Sequence, residues 1–317
     1  MLKEILAMFQ GNPIRLQRVD LGDVSIELPI ADLMGQRPGP TLLVTAGMDG
    51  DEYAGIAAAY QLIERYKTLD FAGRLIVLPI VNIPGFQAEC SHNPADGKFP
   101  KYVFPGRVNG SSTERLMNFV ASLAVEADCW YDLHGAAITE GVNPYLWLHN
   151  TGVAKVDALA RDIIHYGVAP IIMYESARFG LKPAALAKQG CTYIVAESGS
   201  RRTLLADDVA RHLTWLEQTM QLLGLIDGTP ERKETQVLTH VSFITATFDG
   251  LWRPSFTAPS SLPHSWGKVV QGEVLGLVAK LDGTGEKIIR TTSSGTPLWW
   301  KETMRFKRGD ILLAIGN

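Results

Sequence analysis

The chain of 317 residues has only three cysteines, Cys90, Cys129 and Cys191. They are far apart and odd in number, so they fit neither a disulfide framework nor the close spacing of a cysteine zinc site. That scarcity suits a reducing compartment, and a cytoplasmic location is expected. Long apolar runs are missing too, since none approaches the roughly 18 residues needed to span a bilayer. Residues 1–10 are apolar but broken by Lys3 and Glu4, and read as a short amphipathic helix rather than a signal peptide. Basic excess is absent as well: the formal net charge is −3, with no basic patch and no aromatic–basic interleaving. Nucleic acid and membrane are thereby excluded as partners. A small-molecule substrate is the expected partner, with a homo-oligomer left open.

What the chain does have is the make-up of an ordinary soluble globular protein: 46% hydrophobic and 20% charged residues. Its length suits one large domain and a small one. Residues 24–30 alternate like a strand, and 38–40 (Pro-Gly-Pro) form a turn. Apolar runs at 42–45, 74–80, 129–133, 145–148, 171–173 and 192–196 predict further strands. Helical spacing predicts helices at 52–66, 113–126, 153–166 and 206–223, with a short one near 183–189. Ser112 or Thr113 followed by Glu114 marks the start of the second of these. Alternating strands and helices predict an α/β fold with a mostly parallel sheet flanked by helices. Residues 81–112 are rich in Gly, Pro and Asn, and a loop that long in a compact domain is usually functional. After residues 226–230 the helical period stops. Short β-rich runs and recurrent glycines follow, which predicts a small all-β domain over 231–317, with 1–230 as the larger unit.

The stretch Gly47-Met48-Asp49-Gly50-Asp51-Glu52 joins a strand to a helix. In open α/β sheets such a turn sits at a strand's carboxyl end, where ligands bind. Asp49 and Glu52 are three residues apart and share a face. Taken alone, the pair also fits an acidic helix N-terminus. Two other strand ends carry polar residues, His134 after 129–133 and Glu197 after 192–196. In a parallel sheet all of these gather along one edge. Two carboxylates and an imidazole can bind a divalent metal and leave a position for water, and a further carboxylate can take that water's proton.

The order of these residues resembles the succinylglutamate desuccinylase/aspartoacylase family of zinc-carboxypeptidase-like proteins. The family's G-x-H-G-x-E reads here Gly47-Met48-Asp49-Gly50-Asp51-Glu52, its D-L-H reads Asp132-Leu133-His134, and its E-x-G reads Glu197-Ser198-Gly199. Residues 81–86 look like the family's N-P-x-G-F region, including Asn82. Asp96-Gly97 and Phe104-Pro105-Gly106 look like the ends of its long loop. The run from Gly267 to Gly276 resembles its C-terminal β domain. The resemblance implies a metal-dependent hydrolase that cleaves the amide bond of a small N-acyl amine or amino acid. Asp49, Glu52 and His134 would hold zinc, and Glu197 would activate the attacking water.

The departures bear on substrate and metal. The family's first ligand is His, here Asp49. An extra negative charge would weaken the ion's Lewis acidity and favour a harder ion, manganese in place of zinc. The Asn-Arg pair that holds a substrate carboxylate falls on Lys101 and Tyr102, and an upstream Arg falls near Ser91. No tyrosine follows Tyr193, so the tyrosine of the family's β domain has no counterpart. Arg107, Lys101, His92 and Arg178 are nearby replacements, and Asn82 completes the expected substrate-binding set. Two other readings stand beside the deacylase: a metallocarboxypeptidase acting on short peptides, and a degenerate member that binds without turnover.

Overall fold

The structure, a computed structural model, describes residues 13–178, 181–255 and 268–317. The amphipathic helix expected over 1–10 lies outside the described residues.

The chain opens with three strands, β1 (Ile14–Asp20), β2 (Ser25–Met34) and β3 (Arg37–Ala46). Helix α1 (Tyr53–Tyr66), β4 (Ala72–Leu78) and the short α2 (Ile83–Gln87) follow. After a long loop come α3 (Ser112–Ala124), β5 (Cys129–His134), β6 (Glu140–Val142) and β7 (Tyr145–Asn150). Then come α4 (Ala154–Tyr166), β8 (Ile171–Ser176), α5 (Lys182–Ala187), β9 (Thr192–Glu197), α6 (Ala206–Leu223) and β10 (Gln236–Leu238). The remainder is β11 (Val241–Thr245), β12 (Gly250–Pro254), β13 (Val274–Ala279), β14 (Lys287–Arg290), β15 (Thr296–Lys301), β16 (Arg305–Phe306) and β17 (Ile311–Gly316).

Nine strands form one sheet in the order β1-β2-β4-β3-β5-β9-β7-β8-β10. Its centre, β4-β3-β5-β9, is parallel, as the alternation of strands and helices predicts. β1 and β2 add an antiparallel edge, and β7 runs against β9. Side chains of a strand point alternately to its two faces. On one face Leu42, Val44, Tyr131 and Leu133 meet α1, α4 and α6 in the larger core. On the other, Leu43, Ile76 and Trp130 meet Leu116, Met117 and Val120 of α3.

The C-terminal strands build two four-stranded antiparallel sheets, β11-β17-β15-β6 and β14-β13-β12-β16. They enclose a separate core around Trp252, Trp300 and Phe306. β10 and β11, only two residues apart, join different sheets: β10 extends the large sheet beside β8, and β11 starts the small one. In the opposite direction β6, from before residue 230, pairs with β15. The chain thus trades a strand each way across that position.

Candidate active site

The turn after β3 is shaped by glycines. Gly47 has φ 63°, the left-handed region that glycine adopts at little cost. A side chain at Gly50 would collide with the backbone of Gly85 and Phe86, so the turn packs directly onto α2. Asp49 and Glu52 are thereby turned inward, 2% and 5% exposed. Glu52 is the N-cap residue of α1, yet its side chain caps nothing on that helix. Its Oε2 lies 2.9 Å from His134 Nδ1 and accepts the Gly135 N–H at 3.1 Å. The helix-terminus reading accounts for Glu52's position but not for where its carboxylate points.

Register brings the other members in. His134 and Glu197 are paired neighbours on β5 and β9, and Tyr145 of β7 pairs with Glu197. Asp49, Glu52 and His134 each offer one donor atom, and these atoms lie within 4.8 Å of one another. Asp49 Oδ1 and Glu197 Oε2 are buried with no hydrogen-bond partner. Lys101, on the loop before α3, donates to Asp49 Oδ2.

Behind His134 lies a polar network. His134 Nε2 is 3.3 Å from Asp132 Oδ2. Tyr193 and Thr45 donate to the two oxygens of Asp132, each at 2.7 Å, and Trp130 Nε1 donates to Thr45 at 2.7 Å. The Lys182 ammonium donates to Tyr193 at 3.0 Å and lies over the Trp130 and Tyr193 rings at 4.8 and 4.6 Å. Burial opposes the charge of Asp132, but His134 and Lys182 hold its carboxyl below the usual range. Burial likewise opposes charge on His134, and the Asp132 and Glu52 carboxylates outweigh it, raising the imidazole's pKa.

Glu197 lacks such support. Burial pushes its carboxyl up to about 8, with Glu52 and Asp49 adding to the rise against His134 and Lys101. Burial raises Asp49 to about 6 against the pull of Lys101. A carboxyl shifted toward neutrality in a cleft is suited to exchanging protons near pH 7.

The cluster opens into a cavity of about 560 Å³. Trp147, His149 and Tyr193 supply three neighbouring rings of its wall, 6.0 and 6.3 Å apart and near parallel. Glu175, Arg178 and Lys182 bring charge to it, and Val241 and Phe243 of β11 close it from the C-terminal unit.

Residues 38–223 match the succinylglutamate desuccinylase/aspartoacylase catalytic domain. The chain belongs to this family. It is 31% identical over 193 residues to the N-alpha-acetyl-L-2,4-diaminobutyric acid deacetylase of Halomonas elongata. That alignment takes in 60% of this chain and 56% of the relative, so it spans little more than half the relative's length. Solved structures agree on the fold. A succinylglutamate desuccinylase/aspartoacylase from Rhodobacter sphaeroides superposes with TM-score 0.83 at 23% identity, covering 96% of this chain and 94% of that one. The product-bound ectoine utilization protein EutE (DoeB) from Ruegeria pomeroyi gives 0.82 at 24%, covering 97% and 99%.

Of the residues expected at a family site, Asp49, Glu52, His134, Glu197 and Lys101 are brought together, and Arg178 lines the cavity. Tyr102 lines it as well, although 78% exposed. Two others are engaged elsewhere. Asn82 is fully buried as the N-cap of α2, accepting from Gly85 N–H and donating to the Ser91 carbonyl. Arg107 pairs with Glu114 of α3 at 2.8 Å. The sequence reading left out Thr45, Tyr193, Lys182 and Glu140. Glu140 is held by Trp299 Nε1 of β15 at 3.2 Å, and burial raises its carboxyl pKa. Alternation along β5 puts Asp132 on the face of His134 and was a usable signal for it. Nothing local marks Lys182, which opens a short helix 50 residues downstream of its partner.

Proposed function

We propose that the chain is a metal-dependent deacylase that hydrolyses the amide bond of a small N-acyl amine or amino acid. The observation that carries this reading is a Glu197 carboxyl with one oxygen buried and unpartnered, beside a three-donor cluster at the head of a cavity. The donor set fits a divalent ion: two carboxylates and an imidazole, buried, with one Asp49 oxygen unsatisfied. Asp49, Glu52 and His134 would hold zinc, or manganese in its place. Bound there, the ion supplies Lewis-acid polarisation of the scissile carbonyl and acidifies the attacking water.

The chain's own groups carry the rest. Glu197, raised by burial, takes the proton of the attacking water and returns it to the leaving amine. Asp132 fixes the ring of His134 through Nε2 and leaves Nδ1 directed at the cluster. Arg178 and Lys182 offer positive charge to a substrate carboxylate, and Glu175 offers negative charge to an ammonium. That combination suits an N-acyl diamino acid, the kind of compound named for the Halomonas relative. Tyr102 and Phe104 cover one side of the cavity.

The test is acyl release from a panel of N-acyl diamino acids, N-acyl monoamino acids and short peptides, with added zinc or manganese and with chelator. Metal-dependent release from the N-acyl diamino acids, above the peptides, is expected. Faster cleavage of peptides would install the carboxypeptidase reading, and no turnover with metal bound would install the binding reading.

A further inference from the structure

Asp49 is a second carboxylate beside Glu52, with Glu197 a third close by, and a divalent ion among them meets more negative charge than one facing two imidazoles. Lys101 changes that balance. Its ammonium is held between two kinds of partner: the rings of Phe99 and Tyr102, at 6.0 and 5.4 Å, and the Asp49 carboxylate. Asp49 is 2% exposed on its side chain and Lys101 29%. The division of labour at Asp49 is explicit. Oδ2 accepts from the ammonium, and Oδ1 is buried without a partner. A buried carboxylate with one bare oxygen is an incomplete arrangement, since such groups are normally satisfied.

We propose that Asp49 and Lys101 act as one neutral donor: the ammonium holds one carboxylate oxygen and cancels its charge, leaving the other for a divalent ion. The pair then presents to the ion what a single imidazole presents, a directed lone pair without net charge. Asp49 alone would favour hard ions such as manganese, and Lys101 moves the site back toward zinc. Lys101 is thus a positioning residue for Asp49, acting on the ion only through that carboxylate and through its own charge. The inference rests on the metal reading of the site and adds to it the residue that sets metal preference.

Lys101→Gln keeps a donor for Asp49 and removes the charge. Its zinc and manganese affinities are compared with those of the parent by calorimetric titration of metal-stripped protein, a readout independent of turnover. Affinity for both ions should rise, by about tenfold or more for manganese, because a like charge has left the ion's neighbourhood. The manganese gain should exceed the zinc gain. Asp49→His should bind zinc more weakly than the parent, since the ammonium then faces the ion with no carboxylate to neutralise it. Lys101→Gln should raise zinc affinity more in the Asp49→His background, where the ammonium is not neutralised, than in the parent, so the double variant recovers more zinc binding than the two single changes sum to. Should Asp49→His fail to fold, Asp49→Asn with and without Lys101→Gln tests the same coupling. A Lys101→Gln protein that binds the ions no more tightly than its parent, or additive effects in the cycle, overturns the inference and leaves the metal site standing. A folded parent that binds neither ion overturns both.

Discussion

Asp96 and Glu197 are both carboxylates, and their surroundings are opposite. Asp96 accepts from Ser111 Oγ at 2.6 Å, Thr113 N–H at 2.8 Å, Thr113 Oγ1 at 2.7 Å and Lys98 N–H at 3.1 Å. Partial burial works against its charge, yet these donors hold its pKa below the ordinary value. It ties the long loop to the start of α3. Glu197 lines the cavity, has a buried oxygen with no donor, and is pushed up to about 8 by desolvation. A carboxylate that builds structure is surrounded by donors and kept charged. One that has been left without them is poised for chemistry, at a cost to stability.

The sharpest test of this contrast is a pair of isosteric changes. Glu197→Gln should lower kcat by roughly 10²–10⁴-fold, the usual range for a lost general base. Metal affinity should persist and thermal stability should hold or rise, because a carboxyl oxygen buried without a donor has gone. Loss of metal in this variant would make Glu197 a ligand, and a large fall in melting temperature would break the contrast.

Next in size is the acid side of the stability profile. Burial lowers His212 and His149 to about 4, so both are neutral in the fold. In the unfolded chain they take a proton near their ordinary value of about 6.5. Their contribution is therefore complete above about pH 6.5 and declines as pH falls toward 4, by up to roughly 3 kcal/mol for the fully buried His212 and less for His149. Asp96 has the other behaviour. Its lowered pKa contributes stability above the unfolded value, and that is lost only below about pH 3.8. Glu197 and Asp49, raised to about 8 and about 6, shift stability the other way over the same range. The histidine share is therefore read as a difference: in denaturant melts between pH 7 and 4, His212→Gln should lose less stability than the parent as pH falls. An unchanged slope in that variant would assign the loss to other groups.

The smallest effect concerns Asp96 itself. Asp96→Asn keeps shape but weakens several charge-assisted bonds and a helix start, costing about 2 kcal/mol. Activity per folded molecule should fall less than tenfold, and the slope between pH 6.5 and 4 should match the parent's. A loss of activity as deep as that of Glu197→Gln would place Asp96 in the chemistry.

Much of the main sheet was legible because its strands are apolar runs separated by helical periods. The site was legible because its members end such runs: Asp49 and Glu52 after β3, His134 after β5, Glu197 after β9. Pattern could not give what those side chains do with their neighbours. Thr45, Asp132 and Tyr193 meet across 61 to 87 residues of chain. Arg107 was a fair candidate by position, but Glu114, seven residues on, claims it. Asn82 carried a family-like signature, and its amide serves the turn that shapes α2. β1 was overlooked because its charged, half-exposed sequence is that of an edge strand. Lys101 lines the cavity, and its partner there is a protein carboxylate.

The strand exchange around residue 230 has an evolutionary consequence. β6 belongs by sequence to the first part of the chain and by hydrogen bonding to the last, while β10 does the reverse. Arg201, just past Glu197, reaches Glu302 of the C-terminal part, and Trp299 from that part holds Glu140. A recombination break at this position would strip β8 of one neighbour and β6 of the one it has among the described residues. The C-terminal unit therefore cannot be shuffled as a free-standing cassette. Variation in the cavity wall that it supplies has to arise by substitution in place, at positions such as Val241 and Phe243.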